Sequence, residues 1–290
     1  MIFLRLCFAV SFAALLFSFP SSYRRWTHPF IAHRIQIQIP PRAEWDLSLT
    51  NDQKKEIEQI LAQPFYYLGK GLQTFAFESE DGRYVIKFFR FDDSKMPYGQ
   101  WFLRWVKESF GLATKPYMTP LNRTIKTFRS CLLSYHRAKE ETGLVWIQLN
   151  PKEGFWPKVQ VRDRIHRWHR VDLKNTPFIV QKRAERLLPT LLKAAKENPD
   201  RFRRLIQSYV DLHYDLDTRG LYNLDLKMAS NFGFIGDRAM QIDFGNFVES
   251  SEHKNSQIQH FMSRFRGWLG KRVPEGLPIL EERIKEKTDL

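Results

Sequence analysis

Residues 64–91, PFYYLGKGLQTFAFESEDGRYVIKFFRF, double back twice in one short span. Gly69-Lys70-Gly71 and Glu80-Asp81-Gly82 separate three runs rich in aromatic and β-branched residues. Such runs favour extended backbone, and Asp-Gly between two of them is a strong hairpin signal. The span therefore predicts three consecutive antiparallel strands, with Pro97 interrupting the segment that follows.

Around it the pattern is mixed. Thr50-Asn-Asp-Gln53 matches a capping box, with Ile57, Ile60 and Leu61 at helical spacing, predicting a helix over about 51–62. Thr119-Pro120 opens a second helix, in which Leu121, Ile125, Phe128, Leu132 and Tyr135 share one face and Gly143 is the stop. LVWIQLN (144–150), VQVRDRIHRWHRV (159–171) and PFIVQKR (177–183) read as further strands. The pattern then turns helical. RLLPTLLKAA is one helix, and Asn198-Pro199 caps another over about 199–219, with Phe202, Leu205, Ile206, Tyr209, His213 and Leu216 on one face. Two short strands, FGFIG and AMQID, meet at a tight turn over Gly236-Asp237-Arg238, and the last 45 residues mix helix and loop.

At 290 residues, 43% hydrophobic and 14% aromatic, the chain can bury a full core and is not disordered over most of its length. Its formal charge of +14 suits a nucleic-acid, anionic-membrane or phosphorylated partner, or a solvated basic surface. Cys7 and Cys131 have neither disulfide-framework nor zinc spacing, which favours a reducing compartment. Leu6–Phe19 (LCFAVSFAALLFSF) is uncharged, and its 14 residues fall short of the roughly 20 that span a bilayer. With Ile2–Leu4 included and Arg5 snorkelling, residues 2–19 make a short membrane anchor within a hydrophobic segment 1–20. FSFPSSY is a poor cleavage site, and Arg24, Arg25 and Arg34 downstream keep the main domain cytoplasmic by charge bias. The alternative is an export signal that is cleaved. Residues 21–49 read as a linker apart from the alternating RIQIQI at 34–39.

The chemistry concentrates in residues 223–245, NLDLKMASNFGFIGDRAMQIDFG, where Asp225 and Asp243 bracket Asn231. Phosphoryl transfer needs a base at the acceptor hydroxyl and oxygen ligands for magnesium. The order of these motifs over residues 60–250 resembles the protein-kinase-like superfamily, which includes the aminoglycoside phosphotransferases. The resemblance implies an α+β, bilobal protein-kinase-like fold: a β-rich N-lobe with one helix (50–182) and a mainly helical C-lobe (183–290). It implies ATP and magnesium as cofactors. By its motifs, Gly69 and Gly71 lie in the glycine-rich loop, Thr74 standing where a third glycine would be. Lys87 of YVIK holds the nucleotide phosphates, with Val85 in place of a smaller residue at the adenine pocket. Residues 177–185 form the last N-lobe strand and hinge. Asn223-Leu-Asp225-Leu-Lys227 matches the His-Arg-Asp-Leu-Lys motif, with Asp225 as base and Lys227 steadying the transferred group. Asn231 and the Asp243-Phe-Gly acid are the magnesium ligands.

Two departures bear on activity. The family pairs its lysine with a glutamate in the following helix, whereas this helix offers Arg129, Ser130 and Cys131 at its middle and Glu140 and Glu141 only at its far end. Asp225 and Asn231 also lie one residue farther apart than the family spacing, so either a bulge absorbs the extra residue or Leu226 takes the base's place. After Gly245 no peptide-docking segment follows, which favours a small-molecule, lipid or sugar acceptor. His166-x-x-His169 reads as part of a basic, partly exposed strand rather than a metal site. That strand could meet anionic lipid or nucleic acid through Trp168, but no specific nucleic-acid partner is expected. Three functions follow: an anchored phosphotransferase, a catalytically impaired pseudokinase that binds nucleotide or partners, and an exported protein with a recruited kinase-like fold.

Overall fold

A computed structural model describes residues 30, 32–37, 39–71, 73–91, 106, 109, 110, 120–250 and 255–289. The hydrophobic segment 1–20, Cys7, Pro97 and Thr119 lie outside these residues. Among the described residues no helix is long and apolar enough to cross a membrane.

The first half of the chain builds a seven-stranded sheet from β1 (Phe65–Lys70), β2 (Thr74–Ser79), β3 (Tyr84–Phe89), β4 (Leu144–Gln148), β5 (Val159–Arg162), β6 (Trp168–Val171) and β7 (Phe178–Lys182). Their spatial order is β4-β7-β3-β2-β1-β5-β6. The three strands expected from 64–91 form as two hairpins in sequence order. Every pairing is antiparallel except that of β1 with β5. Residues 159–171 are a hairpin rather than one strand: the chain turns at 163–167, where His166 takes a left-handed φ of 65°.

Both faces of this sheet are buried at its middle strands β3 and β7, and the period-two alternation of a strand decides which side chain serves which face. Ile86 and Phe88 of β3 point to one side, into a core shared with Phe75, Phe77, Phe178 and Val180. Helix α1 (Asn51–Leu61) covers that side with Ile57, Ile60 and Leu61, and its start carries the expected capping box. Phe89 points to the other side, toward the C-terminal half, in a core that includes Ile179, Phe128 and Leu187. Lys87 lies between Ile86 and Phe88 and shares the second side.

The linker expectation for 21–49 is corrected over its described part. Phe30, Ile35, Ile39 and Trp45 are all buried. The Phe30 ring packs edge-on against Phe75 and Phe77, and Asn150 bonds both backbone groups of Arg42 through its side-chain amide. Burying four large apolar groups outweighs the entropy of leaving the segment free.

Helix α2 (Pro120–Arg137) packs on the second side, and a separate turn, α3 (Lys139–Thr142), ends at Gly143 with φ 63°. Leu121, expected on the buried face, is exposed. The C-terminal half is built on α4 (Leu187–Glu197) and α5 (Pro199–Thr218), the latter capped by Asn198, whose side chain accepts the Arg201 N–H at 2.9 Å. All six residues predicted for the inner face of α5 are buried. β8 (Glu185–Arg186), β9 (Leu221–Asn223), α6 (Met228–Asn231), β10 (Phe232–Ile235), β11 (Arg238–Gln241) and β12 (Phe247–Glu249) carry the motif-bearing loops. Helices α7 (Asn255–Arg272) and α8 (Gly276–Thr288) complete the chain's described part. The whole is α+β and bilobal, a β-rich half with one long packed helix beside a mainly helical half, the arrangement that the kinase-like resemblance implied.

Candidate functional site

Residues 223–231 and 241–247 run side by side beneath the sheet, held by a set of short bonds. The Asn231 carbonyl accepts the N–H of Ile242 at 2.8 Å and of Asp243 at 3.4 Å. The Asn231 side chain, 1% exposed, donates to the Asp225 carbonyl at 3.0 Å. Asn223 bridges both segments: its Oδ1 accepts the Asp225 N–H at 2.9 Å, and its Nδ2 donates to the Asp243 carbonyl at 2.8 Å. The residue that stands in place of the motif histidine therefore ties the Asp225 loop to the Asp243 loop.

Between Asp225 and Asn231 the chain forms the single helical turn α6, which the sequence did not announce. Leu226 packs against the large core instead of facing outward, while the Asp225 side chain keeps 23% of its surface exposed. Lys227 Nζ sits 3.3 Å from Asp225 Oδ2. Asp243 is exposed, and its Oδ1 accepts the Gly245 N–H at 3.3 Å. Asn231 Oδ1 accepts the Ser230 hydroxyl at 2.9 Å. Each of these oxygens has a second acceptor position beyond its one bond, and both are hard donors suited to magnesium.

Lys87 reaches down from β3 onto the same loop. Its Nζ donates to the Ile242 carbonyl at 2.7 Å and lies 5.3 Å from the centre of the Phe244 ring. Burial pulls its pKa below the usual lysine value, with the Asp243 carboxylate opposing that shift. Glu140 and Glu141 do not serve it. Both pair with Arg238, and Glu141 also pairs with Arg219. Lys87 therefore meets a backbone carbonyl rather than Glu140 or Glu141. Cys131 occupies the helix beside it, its thiol pushed up to about 12 by burial.

The helix is fastened to the loop by a residue that motif reasoning passed over. Ser130 Oγ donates to the Phe244 carbonyl at 2.5 Å and accepts the Phe247 N–H at 2.6 Å. Phe244 is the middle residue of the Asp-Phe-Gly turn, and Phe247 lies two residues beyond it. Nothing in the sequence singles out Ser130, since Ser134, buried on the same helix, bonds its own helix instead. Thr127, one turn earlier, bonds Gln73 of the glycine-rich loop, so α2 joins that loop to the Asp243 segment.

Gly69 lies near the end of β1, paired with Ala76, and Gly71 in the β1–β2 connection. A Cβ at Gly69 would meet no atom within 4 Å, and one at Gly71 would stay 3.5 Å from Thr74 Oγ1. Neither has a left-handed φ, so packing does not demand glycine at either site. The missing side chains leave backbone accessible, the property a phosphate-approaching loop uses. The sequence-predicted residues of Lys87, Asn223, Asp225, Lys227, Asn231 and Asp243 are thus gathered around one pair of loops. His166 and His169 are not a metal pair: His166 sits in the turn, and His169 Nε2 bonds Asp163 Oδ2 at 2.8 Å. Among the described residues no cluster of histidine, cysteine and acids fits a metal ion.

No family model matches the chain, and no curated protein does. Among solved structures, the co-crystal structure of WbdD with the kinase inhibitor LY294002 is 16% identical with a TM-score of 0.40. That match covers 77% of this chain and 46% of the other. A medium-resolution structure of the bifunctional kinase-methyltransferase WbdD is 19% identical with a TM-score of 0.37, over 77% and 45% of the two chains. The chain therefore spans about half the length of the solved structures it matches.

Proposed function

We propose that the protein is an ATP- and magnesium-dependent phosphotransferase. The observation that carries this reading is the convergence of Lys87, Asp225, Asn231 and Asp243 on one bonded loop pair, through the Asn231 carbonyl and the Lys87–Ile242 contact. Asn231 Oδ1 and the Asp243 carboxylate would hold magnesium, which supplies charge neutralisation at the phosphates when bound. Asp225, half-exposed, takes the proton of the acceptor hydroxyl as that oxygen forms its bond to the γ-phosphorus and the β–γ bridging bond breaks. Lys227, beside it, faces the transferred group. Lys87 exchanges its bond to the Ile242 carbonyl for the nucleotide phosphates.

The acceptor is a small molecule, lipid or sugar. Only Phe244–Asn246 separate Asp243 from β12, which leaves no long loop there on which a peptide could lie. Residues 2–19 anchor the protein to the membrane with its main domain in the cytoplasm. An intact N-terminus on membrane-extracted protein supports the anchor, and a new N-terminus near residue 20 would mean export instead.

One observation favours a second reading, an impaired kinase that binds nucleotide or partners without turnover: Lys87 has no acid from α2 and rests on a backbone carbonyl. Thermal melts separate these readings. Mg–ATP at millimolar concentration raises the melting temperature of the wild type, and Asp243→Ala removes the rise. No rise at all refutes both. A rise without ATP turnover, unchanged by Asp225→Asn, selects the second.

A further inference from the structure

The β5–β6 hairpin ends the seven-stranded sheet, and between Arg162 and Arg170 it carries Arg162, Arg164, Arg167 and Arg170 against a single acid, Asp163. That acid is withdrawn from the surface. Asp163 is 3% exposed, and it accepts the N–H groups of Ile165 and Arg167 at 3.0 and 2.9 Å and the His169 ring at 2.8 Å. Burying Asp163 to build the turn leaves the outside of the hairpin cationic: Arg164, Arg167 and Arg170 are exposed and Arg162 is half-buried.

Apolar groups lie among these cations. Trp168 is 52% exposed, held edge-on to Tyr66 with ring centres 5.8 Å apart and with the Arg162 guanidinium 5.8 Å from its ring. Leu68, on the neighbouring β1, is 41% exposed. Arginines interleaved with an exposed tryptophan match the headgroup layer of a bilayer, where cations meet phosphates and indole sits at the boundary.

Chain geometry favours a bilayer as the occupant. Phe30 packs beneath this hairpin, its ring 5.1 Å from that of His169. The apolar run ends at Phe19, and eleven residue steps from there to Phe30 span at most about 40 Å. Any membrane holding residues 2–19 therefore lies within reach of the hairpin.

We propose that the β5–β6 hairpin is a docking surface for an anionic phospholipid bilayer, with Arg162, Arg164, Arg167 and Arg170 at the phosphates and Trp168 in the interfacial layer. The surface stands on the hairpin; the choice of occupant rests on the anchor reading of residues 2–19. The test uses the full chain with vesicles of brominated phosphatidylcholine, with and without phosphatidylglycerol. Trp168 is read as the emission difference between wild type and Trp168→Phe. The expected result is quenching of Trp168 only when phosphatidylglycerol is present, reversed by high salt. In Arg164→Gln/Arg170→Gln the quenching is lost while the melting temperature holds, because two surface cations fewer weaken the contact about 25-fold.

Flotation of the chain with both vesicles, without Trp168 quenching in either, overturns the docking surface and leaves the anchor standing. Quenching with phosphatidylglycerol but no flotation on neutral vesicles supports the surface and removes the anchor. Equal quenching in neutral vesicles overturns recognition by charge. A Trp168 response to short single-stranded RNA, with none to phosphatidylglycerol, overturns the proposal in favour of nucleic acid.

Discussion

Ser130→Ala is the sharpest probe of how the two halves are joined. The change deletes one buried hydroxyl and leaves the Phe244 carbonyl and the Phe247 N–H without the partner that lies 2.5 and 2.6 Å away. An unsatisfied buried polar group costs about 1–3 kcal/mol, and two are affected. Phe247 N–H keeps a longer contact of 3.4 Å to the Phe244 carbonyl, which offsets part of the loss. The expected destabilisation is therefore about 2–3 kcal/mol, a fall in melting temperature of roughly 4–12 °C for a chain of this size. Ser134→Ala is the matched control. Ser134 is equally buried on the same helix, but its hydroxyl bonds only the Ser130 carbonyl one turn back, at 2.9 Å, so its loss costs under about 1 kcal/mol. Urea melts of the two variants measure the difference directly. Ser130→Ala should also shrink the Mg–ATP-induced rise in melting temperature, because the Asp243 turn loses its fastening to α2. Equal urea midpoints for the two variants would refute the view that Ser130 joins the helix to that turn.

Three further outcomes follow from the same structure. Lys87→Met should abolish the Mg–ATP shift with little loss of stability at neutral pH, since it replaces a buried cation with an apolar chain of similar length. Burial holds the folded Lys87 below its usual 10.5, so between the two values only the unfolded chain binds that proton. Wild type should accordingly gain stability over Lys87→Met as pH rises toward 10.5, and a flat difference in urea midpoints contradicts this. His213 lies among Tyr209, Phe232 and Phe261, and burial lowers its pKa to about 3 from 6.5. The unfolded state alone takes its proton below pH 6.5, so stability falls by about 1.4 kcal/mol per pH unit from there toward pH 3. His213→Phe should lose about 2 kcal/mol less than wild type between pH 6.5 and 5. Gly233→Ala should destabilise by about 2 kcal/mol or more in a thermal melt, because a Cβ there would lie 2.3 Å from the Glu185 carbonyl and force β10 away from β8.

Much of the site was readable without coordinates because it is written in short-range chemistry. Asn231 and Asp243 are separated by one small hairpin, whose turn at Gly236 and strand registers are local matters. Lys87 was singled out by its place in YVIK on the third strand of two local hairpins. Ser130 and the bridging role of Asn223 were hidden, since each depends on a partner brought up from another part of the chain. The same holds for Phe30 and Trp45, whose segment is poor in regular structure and rich in proline, and so resembles a free linker until the core that receives it exists.

By itself the sequence determined what neighbouring residues settle among themselves: the paired hairpins of 64–89, the capped helices at 51 and 199, and the residue types offered to the loops. Tertiary structure decided which alternative each ambiguous residue adopted. It turned 228–231 into a helical turn, packed Leu226 against the core while leaving Asp225 part-exposed, and gave Lys87 a carbonyl where an acid was sought. The reason is one of range. Turn geometry and caps act over a few residues, whereas burial and hydrogen-bond satisfaction are settled only when segments far apart in sequence compete for the same space.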